Sequence, residues 1–218
     1  MINKTFFAKP TMSTDGKLLG VELCTQFHNV VNSKYYFYAL SIEQKQRLLV
    51  EQLDEIKRAA SWFRDYSLYC SLHVDKYQAR LCAFDGELKD ALRQIGDIVR
   101  LEVSEDESID YGINKALLKS LSDNGNTLFL TGLGAGRATL LTTKHFHTVK
   151  LDRAFYHHEV QKPTFEILIK NIKRFCDRII VDGVDQRDEL ALLREINVWG
   201  IQGDLYRSVP FLKVHTLL

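Results

Sequence analysis

The sequence contains no apolar run near the roughly 20 residues that span a bilayer. Its opening, Met1-Ile2-Asn3-Lys4-Thr5-Phe6-Phe7, lacks the apolar core of a signal peptide. The expected location is therefore the cytoplasm, with no membrane partner. Cysteine is sparse and scattered: Cys24, Cys70, Cys82 and Cys176 form no Cys-x-x-Cys pair, which fits reduced thiols better than disulfides or a zinc site. His145, His147, His157 and His158 have no cysteine or carboxylate at a metal-binding spacing. An excess of one charge is also missing. With 29 Lys and Arg against 28 Asp and Glu, the chain has no overall electrostatic attraction for nucleic acid, and no direct nucleic-acid partner is expected. Linkers, low-complexity tracts and repeats are absent, so residues 1–218 read as one domain with a single large core.

What the sequence does contain is an alternation of elements. Phe6 to Met12 and Lys17 to Phe27 are strand-like, and the Asp15-Gly16 pair between them favours a hairpin. Ser41 and Gln44 form a capping-box signature before a helix whose Leu49, Leu53, Ile56, Ala60 and Phe63 make one apolar stripe. Further strands are predicted over Leu68 to Val74, Val99 to Ser104, Leu128 to Leu133, Val149 to Asp152, Ile179 to Val184 and Ile201 to Tyr206. Helices are predicted over Gly86 to Ile95, Ile109 to Leu121, Ala138 to His145, Phe165 to Phe175 and Asp188 to Ile196. This order implies an α/β fold, a TIM-like (β/α) barrel opened by an antiparallel strand pair. Barrel strands converge at their carboxyl ends. Glu22, Ser71, Glu102, Glu105, Lys150, Asp152, Asp182, Asp185 and Gln202 are thus expected around one pocket.

The stretch Leu128-Phe129-Leu130 stops at Thr131-Gly132-Leu133-Gly134-Ala135-Gly136-Arg137, a glycine-rich turn without a carboxylate, histidine or cysteine. That turn offers neither a metal ligand nor a general base. Gly132-x-Gly134, with Asp152 twenty residues on, imitates part of a dinucleotide fingerprint, but Arg137 stands at the third-glycine position and no nucleotide cofactor is expected. Tyr35-Tyr36-Phe37-Tyr38 reads mainly as core or loop packing, with a partner-facing aromatic patch as the alternative.

Taken in order, these segments resemble the EAL domain family, barrel enzymes that hydrolyse cyclic di-GMP with two divalent metals. Lys9-Pro10 matches the family's Gln-Pro, and Glu22-Leu23-Cys24 occupies the signature triplet, of which only the metal-binding glutamate is kept. Gln26 stands for the phosphate-binding Arg and Ser71 for a metal-binding Asn. Glu102 and Glu105 match the Glu-x-Thr-Glu pattern with Ser104 in place of Thr. Thr131 and Gly132 replace two metal-binding aspartates. Lys150-Leu151-Asp152-Arg153-Ala154-Phe155 matches Lys-Ile-Asp-x-x-Phe, Asp182-Gly183-Val184-Asp185 shortens both acids of Glu-Gly-Val-Glu, and Gln202-Gly203 begins the closing motif.

Two dications about 3.5 to 4 Å apart repel strongly, and several bridging carboxylates are needed to hold both. The resemblance therefore implies a degenerate member with no metal, no cofactor and no catalytic residues, in which Lys150 pairs with the remaining glutamates. Its length, its Gly-Leu-Gly-Ala-Gly turn and its Lys-Leu-Asp-x-x-Phe resemble the standalone EAL-like inhibitors of FlhDC, the flagellar master transcription activator. That implies a non-enzymatic regulator that binds the FlhD subunit, blocks its DNA binding and lowers flagellar gene expression and motility. The alternatives are a cyclic di-GMP receptor or a weak cyclic di-GMP phosphodiesterase, and the loss of Arg at Gln26 weighs against nucleotide binding.

Overall fold

The computed structural model describes residues 3–104, 115–134 and 145–218. Eight strands close into a barrel: β1 (Lys4–Met12), β2 (Leu18–Phe27), β3 (Tyr69–His73), β4 (Val99–Ser104), β5 (Thr127–Leu133), β6 (Phe146–Leu151), β7 (Arg178–Asp182) and β8 (Gly200–Gln202). Strands β2 to β8 pair in parallel, each with the next. β1 runs antiparallel to both β2 and β8 and closes the ring. A short β9 (Val209–Pro210) adds to β1 opposite Phe7 and Ala8, and a terminal 3-10 helix (Phe211–Leu217) follows.

Helical segments separate most strands: α1 (Ser33–Ala39), α2 (Ile42–Arg58) and α3 (Ala60–Asp65) before β3; α4 (Lys76–Phe84) and α5 (Gly86–Gln94) before β4; α6 (Lys115–Asp123) before β5; α7 (Arg153–Glu159) and α8 (Phe165–Ile172) before β7; α9 (Glu189–Glu195) before β8. The reciprocal Ser41–Gln44 capping box does start α2. The expected single helix through Phe63 is instead two, because Ala59 leaves helical geometry at φ −93°, ψ 4°. Its stripe still packs as one face, with Leu49, Leu53, Ile56, Ala60 and Phe63 all buried.

Three further expectations need correction. The alternation is not strictly one strand and one helix, since α1, α4 and α7 were unexpected. α4 buries small residues, Ala79, Cys82 and Ala83, so its apolar stripe is faint, although Asp75 and Gln78 give it a full capping box. β6 begins at Phe146 rather than Val149, and β8 ends at Gln202, with bends and turns where the strand was expected to continue to Tyr206. The helix predicted over Ile109 to Leu121 is present from Lys115 as α6, its earlier part lying outside the described residues, and the one predicted over Ala138 to His145 lies outside them except for His145.

Inside the barrel, charge and apolar layers are stacked. Tyr69, Phe129 and Ile180, with Leu19 and Trp199 against them, form an apolar plug separate from the main core that lies between the barrel and the helices. Period-2 alternation then places Ser71, Glu102, Lys150 and Asp182 on the same inward faces, one step nearer the carboxyl ends.

Candidate functional site

The carboxyl-terminal mouth holds a cavity of about 410 Å³, with Glu22, Glu102, Thr131, Gly132 and Asp152 in its wall. Helix α1 roofs it with Phe37 and Tyr38. The aromatic run lies on a helix and packs in part as expected: Tyr36 and Phe37 lie against the small cluster of Phe27, Leu40 and Leu48, Tyr36 on Phe27 at 4.9 Å between centroids and Phe37 also edge-on to His73, while Tyr35 remains 76% exposed.

Below the cavity, the expected ion pair is present. Lys150 Nζ donates to Glu22 Oε2 at 2.9 Å and to both carboxylate oxygens of Glu102 at 2.7 and 2.8 Å. The lysine is 4% exposed and Glu102 1%. Burial works against the charge on Lys150, but the two carboxylates outweigh it and hold the amine well above the ordinary lysine range. Burial likewise pushes Glu22 up, yet the charges of Lys150 and then Lys9 hold its carboxyl at about 2. A second cation was missed in the sequence. Lys9, directly opposite Glu22 across the β1–β2 ladder, donates to Asp182 at 2.9 Å. Burial depresses its charged form, and Glu22 and Asp182 more than restore it. The available signal was strand alternation, which puts Lys9 on the same face as Thr11, whose hydroxyl accepts a 2.9 Å bond from Gln202.

Not every expected residue reaches the pocket. Gln202 and Ser71 are buried among the strands, the latter with its hydroxyl directed at the Val21 carbonyl. Asp152 lines the mouth but also caps α7 through the Phe155 N–H at 3.0 Å. Asp185 sits apart, accepting from the Asp204 N–H and lying 3.5 Å from Arg153. Gln26 is exposed on β2, outside the cavity wall. Glu105 lies outside the described residues.

The central turn is built around its glycines. Between Leu130 and Leu133, two residues of β5, Thr131 and Gly132, stand opposite one of β6, Lys150, a bulge in which Gly132 takes φ +73°. At Gly134, φ is +104° and a Cβ would lie 2.1 Å from Cγ of Phe155. The aromatic of the Lys-Leu-Asp-x-x-Phe segment therefore packs directly on backbone.

This donor set does not fit a pair of dications. Lys150 engages Glu22 and Glu102, Lys9 engages Asp182, and positions 131 and 132 carry no carboxylate. Among the described residues no group of three or more histidine, cysteine or acidic side chains could hold a metal ion. Nor is the mouth thiol a ready nucleophile, since burial and then Glu22 push Cys24 well above its ordinary value.

Comparison with known proteins accords with this architecture. The family model described as "EAL domain" matches residues 9–208. A protein of Escherichia coli K12 provisionally named anti-FlhC(2)FlhD(4) factor YdiV is 27% identical over 96% of this chain and 92% of its own length. Cyclic di-GMP phosphodiesterase PdeH of the same organism is 25% identical over 95% of this chain and 85% of its own length. The crystal structure of the EAL-like domain protein YdiV superposes with a TM-score of 0.88 at 25% identity, covering 99% of this chain and 96% of that one.

Proposed function

The chain belongs to the EAL domain family, and we propose that it is a non-enzymatic member that acts by protein contact. In this reading it binds the FlhD subunit of FlhDC, prevents that activator from engaging promoter DNA, and so represses flagellar gene expression and motility. The similarity to a YdiV protein along nearly the whole chain supports the partner. One observation supports the loss of chemistry: a single buried ammonium, Lys150, takes up the carboxylates of both Glu22 and Glu102. A carboxylate whose lone pairs are committed to an internal cation is a poor ligand for an external one, and without a bound dication no water is deprotonated near neutral pH. Affinity would then come from an apolar centre with a polar rim and needs no turnover.

The test is a titration of the purified chain into FlhDC bound to a flagellar promoter fragment. A complex containing FlhD at micromolar concentration, with release of the DNA, is expected. Absence of a complex, with the promoter still bound, would remove the proposal. The similarity to PdeH keeps phosphodiesterase as the second reading. Manganese-dependent production of linear pGpG that disappears in Glu22→Ala would establish it instead.

A further inference from the structure

The amino-terminal end of the barrel, opposite the mouth, has its own concavity of about 470 Å³ at the starts of β3, β4, β7 and β8. Its wall contains four cations, Lys17, Arg64, Arg100 and Arg178, and one carboxylate, Asp97. Arg64 takes that carboxylate with Nε at 2.7 Å and Nη2 at 3.0 Å. Arg100 directs its donors at the backbone carbonyls of Val99, Asp97 and Gly96, at 2.9, 3.1 and 3.3 Å. Arg178 lies over the Trp199 ring at 4.7 Å from its centroid, and Trp199 in turn stacks on Tyr69.

These contacts fix the two guanidinium groups without neutralising them. A carbonyl dipole or a ring face orients a cation; only an anion cancels its charge. Among the described residues no carboxylate lies within salt-bridge distance of Arg100 or Arg178. Burial presses the Arg100 guanidinium below its usual range and the nearby charge of Arg178 adds to this, while Asp97 acts more weakly the other way.

We propose that this concavity is a binding site for a small organic phosphate, with the phosphate seated among Arg100, Arg178 and Lys17. With Asp97 taken by Arg64, three cations that form no ion pair among the described residues match a phosphate dianion better than a single carboxylate, and guanidinium forks suit its oxygens. The volume exceeds what one phosphate fills and falls within the range of small-molecule sites, and the aromatic wall at Trp199 and Tyr66 provides an apolar surface for the organic part. The proposal does not rest on contact with FlhD and stands or falls without it.

Trp199 is one of only two tryptophans, so Trp62→Phe makes its fluorescence a reporter of the cavity. That protein would be titrated with adenosine monophosphate and with inorganic phosphate, with calorimetry in parallel. Saturable binding of the nucleotide with a dissociation constant below about 1 mM is expected, weakened about tenfold or more in Arg178→Gln and in Lys17→Gln. Lys119→Gln, the same charge change on α6 outside the cavity, leaves it unaltered. Inorganic phosphate binding as tightly as the nucleotide would show that the organic part contributes nothing and would overturn the assignment of ligand class. Failure to saturate, or saturation that both cavity variants leave unchanged, would overturn the site itself.

Discussion

Replacing Lys150 with methionine keeps much of the side chain's volume and removes one positive charge from beneath the mouth. Glu22 and Glu102 then lose the ammonium that bonds them at 2.9, 2.7 and 2.8 Å. Removing one partner of a buried ion pair costs about 3–5 kcal/mol. Protonation sets a ceiling on that cost, because one carboxylate can be neutralised. From an unfolded carboxyl near 4.3, that takes about 3.7 kcal/mol at pH 7 and about 1 kcal/mol at pH 5. The variant should therefore lose about 3–4 kcal/mol at pH 7 and about 1–2 kcal/mol at pH 5. At pH 7 this corresponds to a fall in Tm of roughly 6–16 °C for a chain of this size. The wild type responds in a different window. Glu22 is held at about 2 against an ordinary 4.5, so its contribution is fully present above the ordinary value and is lost as pH falls through about 2. Moving from pH 7 to pH 5 thus leaves the wild-type pair intact and narrows the deficit of the variant. Urea unfolding followed by circular dichroism at the two pH values measures both effects. A variant within about 0.5 kcal/mol of wild type at pH 7, or a deficit that does not shrink at pH 5, would refute the reasoning.

Gly134→Ala should cost roughly 2–4 kcal/mol, because the new methyl would meet the Phe155 ring at a backbone φ of +104°; thermal unfolding reads it, and pairing it with Phe155→Ala should recover part of the loss. Thr131→Asp combined with Gly132→Asp returns two carboxylates to the turn, yet no manganese-dependent cyclic di-GMP hydrolysis is expected while Lys150 still holds Glu22 and Glu102; calorimetry with manganese and a product assay check it. Ser41→Ala removes one half of the capping box that starts α2 and should cost about 1 kcal/mol without altering the mouth, measured by urea unfolding.

The barrel was legible because its strands are short apolar runs at the spacing of βα units, and because the Asp15-Gly16 turn declares the antiparallel opening. The Lys150 pair was legible for a different reason: several acids at strand ends must converge in a closed barrel, and one inward lysine among them has nowhere else to place its charge. Lys9 escaped notice because its role depends on register. Only the β1–β2 ladder puts it opposite Glu22, and only ring closure through β8 brings it to Asp182 on the far side of the sheet. α1 escaped because Tyr35 to Tyr38 has no polar face to set against an apolar one, so its periodicity is invisible until the mouth supplies an inside for Phe37. Asp185 was grouped with the pocket by its place at a strand end, whereas the turn after β7 directs it toward Arg153 and the Asp204 backbone.

A buried cluster of Lys150, Glu22 and Glu102 is a poor way to stabilise a barrel, since well-packed apolar replacements of a buried ionic triad are often neutral or stabilising by 1–4 kcal/mol. Its persistence in a chain whose turn has no carboxylates follows from the cost of the intermediates. Loss of Lys150 leaves two buried carboxylates unpaired, at about 3–5 kcal/mol against a total stability of roughly 5–15 kcal/mol, whereas loss of either glutamate leaves a one-to-one pair. Concerted replacement should escape that cost. Glu22→Met, Glu102→Leu and Lys150→Met introduced together should come within about 1 kcal/mol of wild type or exceed it, while Lys9 keeps its partner Asp182. The Lys150→Met single variant would be clearly less stable than the triple, giving a coupling energy of several kcal/mol in the cycle. If the losses of the three singles simply add in the triple, the groups do not act as one unit, and the internal-cation reading of the mouth fails with them.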